Sequence, residues 1–149
     1  MSVFSLYSAC NAMATALGNV TPPTGDLMRK AYGQWPNNTP VLPCAVVEPK
    51  SGELILAPGA YNGTHSVDVV LLIEKASADF ARIEPRRQKW LPVIYHAFDS
   101  AMALGLSGTV NKVYPTGYEF VEYPYAGVAY DAIVVHFAIS TTEIVTLAA

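Results

Sequence analysis

The chain has 149 residues and a net charge of −3, with 52% hydrophobic but only 14% charged residues. That length suits one domain, one that buries about two-thirds of the surface its unfolded form would expose. The acidic balance excludes a general electrostatic hold on nucleic acid, and the absence of any apolar run of eighteen residues excludes a membrane-spanning helix, despite a mean hydropathy of +0.27. A soluble subunit whose surface is covered by copies of itself fits such a composition. The first Lys or Arg is Arg29, so the apolar N-terminal stretch has no positive region of the kind an export signal carries. Cys10 and Cys44 are too few for a disulfide framework and read as free buried thiols.

In chain order, Ser2 to Leu17 repeats apolar residues at helical spacing, with Ser2 placed to cap its start and Gly18 its end. Asn19 to Pro43 carries five prolines with Gly25 and Gly33. It reads as a Pro-rich loop with one helical turn near Asp26 to Ala31, and Tyr32 and Trp35 are anchors that dock on the core or on a neighbouring subunit. Cys44 to Glu48 predicts a short strand. Pro49-Lys-Ser-Gly then reads as a turn into Glu53 to Leu56, with further turn signals at Pro58-Gly59 and Asn62-Gly63. Ser66 to Lys75 predicts a firm strand, Val67, Val69, Leu71 and Ile73 on one face and Asp68, Val70, Leu72 and Glu74 on the other.

The main helix is expected within Asp79 to Leu104. Pro85 suits a first helical position, Trp90, Leu91, Ile94, Ala97, Phe98, Ala101 and Met102 repeat at helical spacing, and Pro92 marks a kink or the true start. Val110 to Tyr114 predicts a brief strand. Tyr118 to Tyr125 and Val128 to Ser140 then form a strand pair turned at Ala126-Gly127. On the last strand Ile133, Val135, Phe137 and Ile139 share one face, and Tyr130, Val134, His136 and Ala138 the other. Neither face is polar. The fold expected is one α+β domain over residues 1–149: a mostly antiparallel β-sheet with an N-terminal helix and one long central helix packed on one face.

Chemistry is sparse. There is no phosphate-binding glycine loop, nucleophile elbow or metal-spaced Cys/His cluster. His96 could meet His136 with Asp99 or Asp131, but lone histidines rarely coordinate a metal. No catalytic residue, cofactor or metal is therefore expected. Arg82, Arg86, Arg87 and Lys89 form the one basic cluster, read as a solvated helix end or as inter-subunit ion pairs. Five of nine tyrosines fall between Tyr114 and Tyr130. With one end of the ring buried and the other wet, they suit a subunit contact. The second face of the last strand needs cover, so the interface expected uses Trp35, Tyr118, Tyr125, Tyr130 and Val134. Arg86 and Arg87 would reach Glu119 or Glu122 of a neighbour.

The element order carries a resemblance. An N-terminal helix leads to a Pro-flanked strand (Leu42-Pro43-Cys44-Ala45-Val46-Val47) and a strong strand (Val67 to Ile73). A helix bearing Trp90, a Leu-Gly-Leu-Ser-Gly loop and a Tyr-x-Ala-Ile-x-Val strand (Tyr130 to Val135) follow. Over nearly the whole chain this order resembles the tail terminator, or tail completion, proteins of long-tailed bacteriophages; the long Pro-rich loop departs from it. The resemblance implies a virion protein assembled in the host cytoplasm: a homohexameric ring that caps the tail tube and stops its polymerisation. It would dock head–tail connector proteins while DNA passes through. The alternatives are another neck, connector or tail tube subunit, or, in a different class, a small enzyme or ligand-binding domain with the tyrosine-rich face lining a pocket.

Overall fold

The computed structural model describes residues 3–37 and 40–145. Its elements are helix α1 (Leu6–Gly18), strands β1 (Lys30–Tyr32), β2 (Cys44–Ala57) and β3 (Ala60–Lys75), helix α2 (Phe80–Tyr95), and strands β4 (Val110–Tyr125) and β5 (Val128–Ile144). The five strands form one sheet in the order β1-β2-β3-β5-β4, antiparallel except for the short parallel pair β1–β2. The architecture is α+β, with a mostly antiparallel sheet and two helices.

The alternation in the long strands decides which side chains meet. Val67, Val69, Leu71 and Ile73 of β3 and Ile133, Val135, Phe137 and Ile139 of β5 form one face. That face packs with Met13 and Leu17 of α1 and with Trp90 and Ile94 of α2. Phe98 closes this core edge-to-face on Phe137, at 5.0 Å between ring centroids. Both helices therefore cover the same face.

Several boundaries differ from expectation. Ser2, the expected cap of α1, lies outside the described residues; Ser5 fills the role, its Oγ accepting from the Ser8 N–H at 3.1 Å. The helical turn expected near Asp26 to Ala31 is replaced by β1, whose Lys30, Ala31 and Tyr32 pair with Cys44, Ala45 and Val46. Pro49-Lys-Ser-Gly is a bulge within one continuous β2, and Asn62-Gly63 lies inside β3 opposite Ile55 and Leu54. Pairing with neighbouring strands overrides the local turn preference at both places. The brief strand at Val110 and the aromatic one at Tyr118 are one strand, β4, with a register shift between Pro115 and Gly117.

The long central helix is also redrawn. Helix α2 begins five residues before Pro85, capped by the Asp79 carboxylate accepting from the Arg82 N–H at 3.3 Å, and ends at Tyr95. Both Pro85 and Pro92 lie inside it. Beyond it, the amides of Asp99, Ala101, Leu104 and Leu106 each bond to the carbonyl three residues earlier. This chain of tight turns advances much as a helix does, so Phe98 and Leu104 still reach the core while Met102, expected inside, is exposed. The expected turn at Ala126-Gly127 is present, with φ of 52° and 79°. Two consecutive positive φ values make the two-residue reversal that matches strand twist.

Candidate functional site

The second face of the sheet, opposite the helices, is built from Cys44 and Val46 of β2, Val70 and Leu72 of β3, and Tyr130, Ala132 and Val134 of β5. Expected to wait for a neighbouring subunit, it is instead roofed largely by the chain's own Pro-rich loop. Trp35 stacks on Tyr125 at 4.6 Å and on Tyr123 at 5.2 Å. Its indole N–H donates to Glu48 Oε2 at 2.8 Å, and the Tyr123 hydroxyl donates to the same oxygen at 2.9 Å. The Tyr125 hydroxyl donates to the Pro36 carbonyl. Burial would push the Glu48 carboxyl up, but Lys50, Trp35 and Tyr123 together hold it below its usual value. Burial, helped by the bond to Glu48, pushes the Tyr123 phenol up to about 12, so it stays a donor.

The residues singled out from sequence therefore divide. Trp35 and Tyr125 are half-buried parts of this roof, and Tyr130 and Val134 are buried beneath it, 2% and 6% exposed. The premise that this face is left bare does not hold: a loop with two large aromatics had surface of its own to cover. Tyr118 is the exception. It lies on the helical side of β4, 54% exposed, with its ring 5.4 Å from that of Phe120.

Arg86 and Arg87 are likewise engaged within their own chain. Arg86 donates through Nε and Nη2 to both oxygens of Asp26, at 2.7 and 2.9 Å, and through Nη1 to Glu74 at 3.0 Å. Asp26 also accepts from the buried Trp90 indole N–H at 2.8 Å. Hydrogen bonding to Arg86, then to Trp90 and the Leu27 amide, holds the Asp26 carboxyl below its ordinary value against the opposing effect of burial. Arg87 is buried, donating to the Val121 carbonyl at 2.8 Å and standing 3.3 Å from Asp131. These bonds tie the Pro-rich loop to α2 and α2 to the β4–β5 pair. Arg82, Arg86 and Lys89 do line one shallow concavity together, with Asp26 and Pro85, but Arg82 and Arg86 share Glu74 there.

The histidines are scattered. His136 Nδ1 is 2.7 Å from Asp68 and its Nε2 3.4 Å from Glu119. His96 pairs with its helix-end neighbour Asp99 at 2.7 Å, while His136 is engaged with Asp68 on the sheet. His65 bonds to Thr141 at 3.0 Å under the Phe4 ring. Among the described residues no cluster of three or more His, Cys, Asp or Glu could hold a metal ion. Cys10 and Cys44 are free and lie on opposite faces of the sheet; burial raises both thiols, that of Cys44 to about 12.

Sequence reasoning missed one apolar feature of the surface. Beyond the bulge at Pro49, β2 and β3 continue as an arm, with β5 along its other side as far as Ile144. Leu54, Ile55 and Leu56 are 63–68% exposed there, and Tyr61 and Ile144 are exposed beside them. Glu53 to Leu56 was legible as a strand, but the turn signals on both sides hid its continuity with the sheet. No protein-family model matches the chain, and no curated protein matches it.

Proposed function

We propose that the chain is a structural virion protein, a tail terminator whose copies form a hexameric ring at the head-proximal end of a long phage tail. The observation that carries this reading is architectural. The described elements run helix, short strand, long antiparallel pair, helix, long antiparallel pair, with both helices on one face; with β1 added and the Pro-flanked strand lengthened into β2, they keep the helix–strands–helix–strands succession of the family resemblance. Leu54, Ile55 and Leu56 stand exposed together on the arm, which supports assembly, because monomers rarely leave contiguous large apolar patches in water. Head-to-tail contacts close into a ring when the rotation between copies permits. The net negative charge suits a lumen through which DNA slides without sticking. The ring would meet tail tube protein on one side and head–tail connector proteins on the other, with no cofactor and no catalysis.

Native mass spectrometry and negative-stain imaging of the purified protein test the reading. The expected result is a six-fold ring with an open centre that blocks further growth of tail tubes in vitro. A monodisperse monomer, or a ring with no effect on tube length, refutes it.

A further inference from the structure

The sheet has two outer edges, and the sequence treats them differently. The outer edge of β4 is guarded: it carries Lys112, Pro115, Glu119, Glu122 and Pro124, and its register shifts twice, at Val110/Lys112 and Pro115/Gly117. Prolines, charges and bulges are the usual means of stopping strand addition at an edge. The outer edge of β2 is covered by β1 only as far as Val46. Among the described residues no backbone hydrogen bond reaches it farther along. From Gly52 to Ala57 it presents Glu53 as its one charge, followed by Leu54, Ile55 and Leu56. An open, apolar, unguarded edge is a template for another strand.

We propose that this edge pairs antiparallel with the same edge of a second copy of the chain, across a two-fold axis at Ile55. Symmetry narrows the register. A two-fold axis that extends a sheet edge to edge stands perpendicular to it and keeps each face on its own side, so paired residues must lie on the same face and the axis must pass through a residue. With the axis at Ile55, Leu54 faces Leu56 of the partner twice over, Ile55 faces itself, and Glu53 faces Ala57. An axis at Leu54 sets Glu53 against Ile55, and one at Leu56 sets Ile55 against Ala57 and Leu54 against Pro58. Only the Ile55 axis pairs all three large apolar side chains with their like and leaves the carboxylate beside a small neighbour. It also brings the two Tyr61 rings to the same face as the leucines, since Tyr61 pairs with Leu56. The strand is its own best complement, and that selects a second copy as the occupant. The antiparallel pairing sends the two domain bodies in opposite directions from the axis, each beyond the other's hairpin tip.

The contact goes beyond the ring and does not depend on it. Ring contacts are head-to-tail, whereas this one is two-fold, so in the free protein the two together set two rings face to face, a pairing that docking to the tail tube or connector displaces, and without a ring the arm makes a dimer. Cysteine placement tests the register, with Cys10 and Cys44 buried and silent. Under mild oxidation the Ile55→Cys protein should cross-link to itself. Glu53→Cys and Ala57→Cys should do so poorly alone but readily when mixed, because opposite residues in an antiparallel pair stand about 4.5–5.5 Å apart at Cα. Leu54→Asp with Leu56→Asp should halve the particle mass in native mass spectrometry while leaving far-UV circular dichroism unchanged, since both side chains are exposed. Equal cross-linking at all three positions, or no cross-link at Ile55, overturns the proposal, as does a mass that the paired aspartates leave unaltered. A six-fold ring that persists in those outcomes leaves the ring reading standing.

Discussion

Replacing Asp26 with alanine should cost more than an acidic residue in a Pro-rich loop ordinarily would. Its side chain is 12% exposed and accepts three side-chain bonds, two from Arg86 and one from Trp90. A hydrogen bond to a charged group is worth about 1.5–3 kcal/mol, and a buried donor left without a partner costs about 1–3 kcal/mol. The contributions do not add, because Arg86 keeps Glu74 and remains partly in water while the fully buried Trp90 N–H has no substitute. About 3 kcal/mol is expected, which lowers Tm by about 6–12 °C in a domain of this size. The same carboxylate makes stability depend on pH. Its folded pKa lies below the unfolded value, near 3.9. The unfolded chain thus takes up the proton first as pH falls. The contribution is complete above about pH 4–5 and is lost as pH drops through the folded pKa. Urea denaturation of wild type and Asp26→Ala at pH 7 and pH 3 measures both effects. The difference between the proteins should shrink at the lower pH. A loss below about 0.5 kcal/mol at pH 7, or a difference that grows in acid, refutes the assignment.

Three further outcomes follow from the packing. Phe98→Ala and Phe137→Ala each remove half of the edge-to-face pair that closes the helical side of the core, and each should cost about 3–5 kcal/mol in chemical denaturation. In Gly63→Ala the new methyl would stand 2.5 Å from Thr141 Oγ1 and 2.7 Å from His65 Nε2. Breaking their hydrogen bond to make room should cost about 1–3 kcal/mol by the same assay. Cys44, with its thiol raised to about 12 and its side chain buried, should resist a thiol-specific disulfide reagent at pH 8 until denaturant is added, and Cys10 should behave alike. Rapid modification of either in the native protein contradicts their placement.

Near-continuous apolar runs sufficed to place the centres of β3 and β5, because strands buried on both faces carry apolar residues at almost every position. Val67 to Ile73 and Ile133 to Ile139 declare the helical face unaided, and Ala126-Gly127 declares the turn. The sequence also called for cover on both faces of β5. Which chain supplies it is a tertiary question: Trp35 could roof a face of its own sheet or a neighbour's, and local sequence is the same in both cases. The answer depends on β1 pairing with β2, which brings the loop over Tyr123 and Tyr125 and buries Tyr130 and Val134. Charges behave alike. Arg86 and Arg87 were visible as a cluster, but their partners Asp26 and Asp131 are brought to them only by folding across tens of residues. The arm shows the same limit from the other side. Pro49 and Asn62-Gly63 are turn signals taken locally, and ladder hydrogen bonds to β3 and β5, summed over the length of the hairpin, outweigh them.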